Sequence, residues 1–230
     1  MNKNVTKAIV LKRIDFGDSD RIITILTPGF GKISLMARGV RKIKSKLAGG
    51  IELFSIIDVG FLIGRSELGQ LISARLDEYY PYIINDINRV TLGYDILKYF
   101  DRSIEDYTES IYFYLLCQLL RLLNQENIPL SRIDLYFKSQ MLLLAGHAPN
   151  LITDQDSKEL LENEKYTLSI STMGLNRSVM GTLESSHIKL MRLLFNKKDS
   201  QKIFNIITTK NEEEDIKPLI DAMFRSYLSV

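Results

Sequence analysis

The sequence has few of the residue types from which metal centres and nucleophilic sites are most often built. It contains one cysteine, two histidines and no tryptophan in 230 residues. Because Cys117 has no second cysteine to pair with, an internal disulfide is excluded, which is typical of a protein from a reducing compartment.

Long apolar runs are also missing. The longest dense run, residues 111–123, contains Gln118 and Arg121 and is shorter than the roughly 20 apolar residues that cross a bilayer. Residues 1–6 show no apolar segment behind a charged start, so a secretory signal is not expected. We expect a cytoplasmic protein without a membrane span, long enough for one large or two small domains.

Acidic residues are scarce in one part of the chain. Residues 1–80 hold 13 Lys/Arg against 8 Asp/Glu, a balance of +5, whereas residues 81–230 hold 17 against 20, a balance of −3. Between Arg21 and Ile51 there are seven basic residues and no acidic one. Such a local excess can attract polyanions although the net charge of the whole chain is only +2.

The first 80 residues have the pattern of β-strands, since runs rich in Val, Ile, Leu and Phe alternate with short turn segments. The predicted strands are residues 6–14, 21–27, 31–37, 53–63 and 68–76. Five short strands in so short a stretch favour a small closed barrel of the OB-fold type, with an SH3-like barrel as the alternative.

After residue 80 the apolar period becomes that of helices. The predicted helices are residues 82–100, a second that starts at the capping sequence 103–106 and ends near Gln125, then 130–145, 186–195, 200–208, and a last one that ends near Leu228 and has Pro218 in its first turn. Residues 151–177 form an irregular insertion with a short strand at 166–171. The predicted fold is α+β: an OB-fold β-barrel domain at 1–80, followed by a helical bundle at 81–230.

The strongest functional signal is a basic loop, residues 37–47, with the sequence ARGVRKIKSKL. Its five cations lie within nine residues: Arg38, Arg41, Lys42, Lys44 and Lys46. Four more basic residues flank the early strands: Lys12, Arg13, Arg21 and Lys32. A charged loop that only aids solubility is the plain alternative, but a cluster of one sign beside a small barrel favours contact with the phosphates of a nucleic acid.

Two aromatic residues accompany this charge. Phe16 and Phe30 lie in predicted turns, where an exposed ring could stack on a base, or where it could close an end of the barrel. Phe54 and Phe61 are predicted core residues.

Apparent enzyme motifs do not hold. Asp15-Phe16-Gly17 spells a kinase DFG, but no glycine-rich loop, strand lysine or HRD motif precedes it. Gly31-Lys32 lacks the first glycine of a phosphate-binding loop, and Asp15, Asp18 and Asp20 lack the spacing of a calcium loop. Cys117 has the setting of a small core residue, and both His147 and His187 are expected at helix ends. We expect no enzyme, no cofactor and no metal.

These residues resemble a known family, that of the bacterial recombination mediator RecO. The matching pieces are the turn GDSDRI at 17–22, the hairpin TPGFGK at 27–32, the basic loop and the segment ELFS at 52–55. A weaker likeness continues through LLLAGHAPNL at 142–151 to FRSYL near the end of the chain.

The resemblance implies an OB-fold, a helical domain and an inserted zinc element. It also implies binding of single- and double-stranded DNA and annealing of complementary strands. Together with RecR, such a protein would help to load a recombinase onto DNA covered by single-stranded-DNA-binding protein. That protein's acidic, apolar C-terminal tail would bind the helical domain beside a cation, for which Arg121, Arg132 and Lys138 are candidates.

This chain departs from the family at the zinc element. Where many members have four cysteines, residues 152–175 contain neither Cys nor His. A structural zinc needs four such ligands in a tetrahedron. The insertion is therefore expected to lack zinc and to be held by packing or to be mobile.

The sequence predicts an ATP-independent DNA-binding and annealing protein of repair and recombination. The alternative is a non-catalytic adaptor, which docks repair partners through the helical domain and is only weakly tethered to DNA by the barrel.

Purified protein should contain no stoichiometric zinc, because the ligands are missing from the sequence. Elemental analysis should find far less than one metal ion per chain, and a chelator should leave the melting temperature unchanged. A one-to-one zinc content, or a melting temperature lowered by chelation, would contradict the prediction.

Overall fold

In the computed structural model the chain forms two compact units, Met1–Asn127 and Ile128–Ser229. The structure describes residues 3–45, 47–64, 68–106, 109–196 and 210–228. Within these ranges no helix is both long enough and apolar enough to cross a membrane.

The first unit begins with five strands that close into a barrel. The strands are β1 Lys3–Phe16, β2 Asp20–Thr27, β3 Gly31–Ala37, β4 Ser55–Leu62 and β5 Leu68–Tyr79. Their order around the barrel is β1-β2-β3-β5-β4, and all neighbours are antiparallel except β3 and β5. The predicted five-stranded barrel of the OB-fold type is confirmed, and the SH3-like alternative is not needed.

Alternation along the strands fills the barrel interior. In β2 the side chains of Ile23 and Ile25 point inward, and Ile23 lies opposite Leu35 of β3. In β1 the alternation is interrupted, because the register with β2 shifts between Val10 and Lys12. Such a bulge bends and twists a strand locally, so the residues after it are re-aimed.

Three helices follow the barrel in the same unit: α1 Pro81–Asn85, α2 Ile87–Ser103 and α3 Ser110–Leu123. The single helix predicted at 82–100 is thus two, because the Asp86 carboxylate accepts the backbone N–H groups of Asn88 and Arg89 and caps the start of α2. The start predicted at 103–106 is wrong, since α2 continues through Ser103.

Helix α2 has one apolar face. Its buried residues recur at three- and four-residue intervals: Arg89, Gly93, Ile96, Leu97 and Phe100. At Gly93 the ring of Phe54 lies so close that an added Cβ would be 2.7 Å from it. Phe54 itself has a φ of 56° and is buried, so the segment before β4 is fixed against the helix.

The second unit contains α4 Leu130–Leu144, the short strands β6 Tyr166–Ser169 and β7 Gly174–Arg177, α5 Ser185–Leu194 and α6 Lys210–Leu228. The helix predicted at 200–208 lies outside the described residues. Pro218 was expected in the first turn of the last helix, but it lies inside α6, which already begins by Lys210.

The insertion is ordered around Tyr166. The ring is buried, its hydroxyl accepts the backbone N–H of Leu161 at 2.8 Å, and its backbone exchanges hydrogen bonds with Leu183 at 2.8 and 3.0 Å. Gly181 contacts the Tyr166 backbone so closely that a Cβ there would come within 2.6 Å. The short strand predicted at 166–171 is present as β6, and packing and hydrogen bonds hold the segment.

The predicted domain boundary at residue 80 marks the change from strands to helices. The two compact units instead divide after residue 127, because α1, α2 and α3 belong with the barrel. A separate domain of residues 1–80 stays a prediction.

Replacing Arg89 by Ala should destabilise the first unit. The buried guanidinium donates hydrogen bonds to the carbonyl oxygens of Leu123 at 2.7 Å and Glu126 at 3.0 Å, and so ties the end of α3 to α2. Leaving a buried acceptor unpaired costs about 1–3 kcal/mol. Urea denaturation should show this loss, whereas Asn88→Ala, an exposed neighbour, should change the free energy of unfolding little. Equal stability of the two variants would contradict the assignment.

Candidate nucleic-acid interface

The basic loop is anchored at its start to the turn between β1 and β2. The carboxylate of Asp20 accepts the backbone N–H of Gly39 at 2.7 Å, and the carbonyl of Ser19 accepts the backbone N–H of Arg41 at 2.9 Å. Gly17 and Gly39 have φ values of 57° and 64°, which glycine adopts without strain. The two segments therefore form one hydrogen-bonded surface.

Apolar residues fix the loop from below. Val40 is buried in the barrel core, and Leu47 packs against the same core. Between these two points the side chain of Ile43 is fully exposed, with Lys42 and Lys44 on either side of it. The loop is thus held at both ends while its middle projects into solvent.

The structure divides the nine predicted DNA-binding residues into two groups. Arg38, Lys42 and Lys44 are exposed and form no ion pair with any residue that the structure describes. Lys46 lies outside the described residues. The remaining five are engaged within the protein: Lys12, Arg13, Arg21, Lys32 and Arg41.

Asp15 joins two of the engaged arginines. Its carboxylate accepts a hydrogen bond from Arg21 Nε at 2.7 Å and lies 3.5 Å from Arg41 Nε. Arg41 also donates to the carbonyl of Gly17 at 3.1 Å. The hydrogen bond from Arg21, with the nearby positive charges, lowers the pKa of Asp15. The carboxylate is therefore ionised at neutral pH, and the pairing is lost only in acid, as pH falls through that lowered pKa.

The other engaged cations have separate partners. Arg13 donates to Glu52 at 2.8 Å and to the carbonyl of Ile51 at 3.3 Å. Lys12 lies 3.6 Å from the carboxylate of Asp101, and Lys32 donates to the backbone carbonyl of that residue at 2.8 Å. These contacts join the early strands to the segment before β4 and to α2.

The two candidate stacking residues differ. The ring of Phe16 is 53% exposed at the end of β1, so it is available to a base. Phe30 is partly buried and meets Phe61 edge to face at 5.3 Å, which makes it a plug of the barrel end. Phe54 and Phe61 are buried, as predicted.

Three residues of α2 were not among the predicted site residues. Tyr94, Lys98 and Arg102 lie beside the strand segment that carries Lys12 and Arg13, around a common cavity. The only sequence signal for them is their four-residue spacing, which places side chains on one side of a helix. That spacing alone does not show that the side of the helix with these residues faces β1.

Groups with catalytic potential serve the fold. Burial raises the pKa of the Cys117 thiol to about 12, so the thiol is protonated at neutral pH. His187 accepts the backbone N–H of Glu184 at the start of α5, and His147 stacks on Tyr227 after the end of α4. Among the residues described, no group of three or more His, Cys, Asp or Glu side chains could hold a metal ion.

Comparison with known proteins identifies the family. A model described as recombination protein O, N terminal, matches residues 1–80, which span the whole barrel. A protein named DNA repair protein RecO from Syntrophus aciditrophicus is 31% identical over 174 residues, which cover 74% of this chain and 67% of that protein. This chain belongs to the RecO family.

Other RecO proteins match over different lengths. One from Roseiflexus sp. is 36% identical over 150 residues, covering 64% of this chain and 51% of that protein. One from Bacillus mycoides is 25% identical over 236 residues, covering 97% of this chain and 92% of that protein. The chain thus spans only about half the length of some RecO relatives that it matches and nearly all of another.

Asp15→Asn should increase the affinity for nucleic acid and steepen its salt dependence. The change removes a negative charge from the surface that carries the basic loop and releases Arg21 and Arg41 from a charged partner. One added phosphate contact would steepen the slope of log K against log salt by about 0.7 for a single strand. Fluorescence anisotropy over a salt series measures both quantities.

The matched control is Asp58→Asn. Asp58 also bridges two cations of the barrel, Lys7 and Arg75, but it lies on β4 and not at the basic loop. It should change the affinity little. If both variants raised the affinity for nucleic acid equally, the change in net charge alone would be responsible. If Asp15→Asn lowered the affinity, the ion pairs of Asp15 with Arg21 and Arg41 would themselves support binding.

Proposed function

We propose that this chain binds single- and double-stranded DNA without sequence preference and anneals complementary strands, as a mediator of DNA repair and homologous recombination in the cytoplasm. It does so without ATP and breaks no covalent bond. Membership of the RecO family supports the role in repair, and relatives carry the name DNA repair protein. The group of exposed cations on the basic loop carries the proposal for this chain.

The loop suits phosphates better than base edges. Arg38, Lys42 and Lys44 are at irregular spacing, and the two lysines lie on the projecting part of the loop. Reading guanine instead requires a guanidinium held in rigid bidentate geometry. The base of the loop is nevertheless fixed to the barrel, because Val40 is buried and the backbone N–H of Arg41 donates to Ser19. Cations held in this way can offset the repulsion between two phosphate backbones and let complementary strands approach.

A triple variant, Arg38→Ala, Lys42→Ala and Lys44→Ala, tests the proposal. Each phosphate contact on a single strand contributes about −0.7 to the slope of log K against log salt, so the slope should flatten by about 2 if all three residues make contacts. The affinity should fall by a similar factor for every sequence, and annealing of complementary oligonucleotides should slow. The parent protein should anneal without nucleotide triphosphate or divalent metal.

The control variant removes the same charges elsewhere: Lys3→Ala, Lys217→Ala and Arg225→Ala. These are also two lysines and one arginine, and all are exposed. Its slope should stay close to that of the parent. An unchanged slope in the loop variant, or affinity lost for only some sequences, would contradict phosphate binding by the loop.

Annealing also separates the proposal from an adaptor function. An adaptor that only docks repair partners would not accelerate pairing of naked strands by itself. If the purified chain binds DNA weakly and does not speed annealing, the adaptor function is the better description.

RecR and the C-terminal tail of single-stranded-DNA-binding protein are the proposed partners. The three cations considered for the acidic tail are each in an ion pair: Arg121 with Glu78, Arg132 with Glu213, and Lys138 with Asp134 and Asp221. To bind any of these cations, an acidic tail would therefore have to replace the carboxylate of this chain that already pairs with it.

A further inference from the structure

A cleft of about 780 Å³ lies between β1 and α2 in the first unit. One wall is the part of β1 that follows the bulge, and the other is the second half of α2. Ile14, which is 46% exposed, and the partly buried Leu53 supply apolar surface inside it, whereas Leu11 and Leu97 are buried. A cavity of this volume is in the range that holds small ligands, and it is too small for a double helix.

Positive charge predominates in the cleft. Two carboxylates, Asp15 and Asp101, face five cations: Lys12, Arg13, Arg21, Lys98 and Arg102. Those from the strands are paired, with Asp101, Glu52 and Asp15 respectively. Lys98 and Arg102 are exposed and have no ion-pair partner within the described ranges. The helix wall therefore presents two cations that an anionic ligand can bind without displacing a carboxylate.

An aromatic ring completes the helix wall. Tyr94 is 49% exposed, and its ring meets Phe54 edge to face with centroids 5.1 Å apart. Phe54 is itself buried against α2 at Gly93, so it fixes the position of the tyrosine ring. A ring that is held in place and half exposed is a suitable platform for stacking a base.

The three residues are in line along the helix. Tyr94, Lys98 and Arg102 are each four residues apart, which corresponds to a rise of about 6 Å from one to the next along the axis. The ring and the two cations therefore follow one another on the side of the helix that lines the cleft.

We infer that this cleft binds one or two nucleotides of a single strand, with a base stacked on Tyr94 and phosphates bound by Lys98 and Arg102. This inference rests on the proposed function. The cleft is continuous with the basic loop, since Asp15 lies in the cleft and contacts Arg41 of the loop. A strand bound by the loop can thus enter the cleft, whereas a paired duplex cannot present its bases there.

An acidic peptide with apolar residues is the other ligand that cations and apolar side chains could accept. The exposed ring and the connection to the basic loop favour the nucleic acid. The peptide is therefore an outcome of the test.

The chain has no tryptophan, so Tyr94→Trp introduces a single indole as a probe of stacking. Its fluorescence should be quenched when oligothymidine is added, and not by a blunt duplex of the same length. A structural role of Tyr94 alone would not give this signal. Quenching by an acidic, apolar peptide but not by oligothymidine would overturn the inference in favour of a peptide ligand.

Affinity measurements give the second test. Tyr94→Ala should weaken single-strand binding about tenfold through the lost stacking, while Tyr94→Phe should bind like the parent. Duplex binding should change little in either variant. Because Tyr94 contacts Phe54, Tyr94→Leu controls for lost packing, and it should bind as weakly as the alanine variant although its melting temperature stays close to that of the parent.

The cations are tested by Lys98→Ala with Arg102→Ala. For a single strand the slope of log K against log salt should flatten by about 1.4. The control is Lys217→Ala with Arg225→Ala, which removes one exposed lysine and one exposed arginine from α6. Equal effects of the two pairs would overturn the inference.

These measurements separate failure of the cleft from failure of the proposed function. If the loop variant loses DNA binding while the cleft variants keep single-strand affinity, the proposed function holds and the cleft inference is wrong. If the parent protein binds neither single strands nor duplex, the proposed function itself fails.

Discussion

The barrel closes because strand β1 forms hydrogen bonds with two other strands, one along each of its edges. Over Lys3–Ile9 it pairs with β4, and over Ile9–Phe16 it pairs with β2, so that Ile9 is bonded on both sides. Beyond this point β1 no longer has β4 beside it. The segment before β4 and helix α2 approach the strand there, and the cleft lies between the strand and the helix. The closure of the barrel and the position of the candidate site are thus consequences of the same strand.

The basic residues of this surface fall into two groups: those that form ion pairs with carboxylates of the chain, and those that are exposed and have no such partner among the described residues. Lys12, Arg13 and Arg21 have internal partners that fix the strands to neighbouring segments. A phosphate that bound any of them would compete with a carboxylate already in place. The exposed cations of the loop and of α2 have no such competition from the carboxylates described, and salt-dependent binding is expected to depend mainly on them.

Much of the fold could be predicted from the sequence. Runs rich in Val, Ile, Leu and Phe located all five strands, because such patterns are local. The bounding turn residues located the ends of β2 and β3 to within one residue, whereas β1 and β5 extend two or three residues past their predicted ends. Helix boundaries were less certain, since a cap such as Asp86 divides a continuous apolar pattern. Pro218 suggested a first helical turn, but the helix around it begins earlier.

The candidate site could be predicted only in part. The basic loop is contiguous in sequence, so its charge was visible. The cleft lies between β1 and α2, which are far apart in the sequence. Tyr94, Lys98 and Arg102 can be recognised as candidate site residues only once the structure shows β1 opposite them. The pairing of Arg41 with Asp15 likewise depends on the contact between two turns that are distant in sequence.

The barrel closes only when β5 pairs with β3, and the late position of β5 in the sequence affects how the chain folds. The meander of β1, β2 and β3 is joined by short turns, so its contacts are local in sequence and can form early. The barrel, however, cannot close until residues 55–79 have been synthesised, because β4 and β5 supply the remaining edges. Until then the open edges of β1 and β3 are exposed and prone to pair with other chains. The contacts of Arg41 with the first turn need only the meander, so the base of the basic loop can be in place before the barrel is complete. The loop directly follows β3, so its base forms beside one of the two strands whose edges are still open.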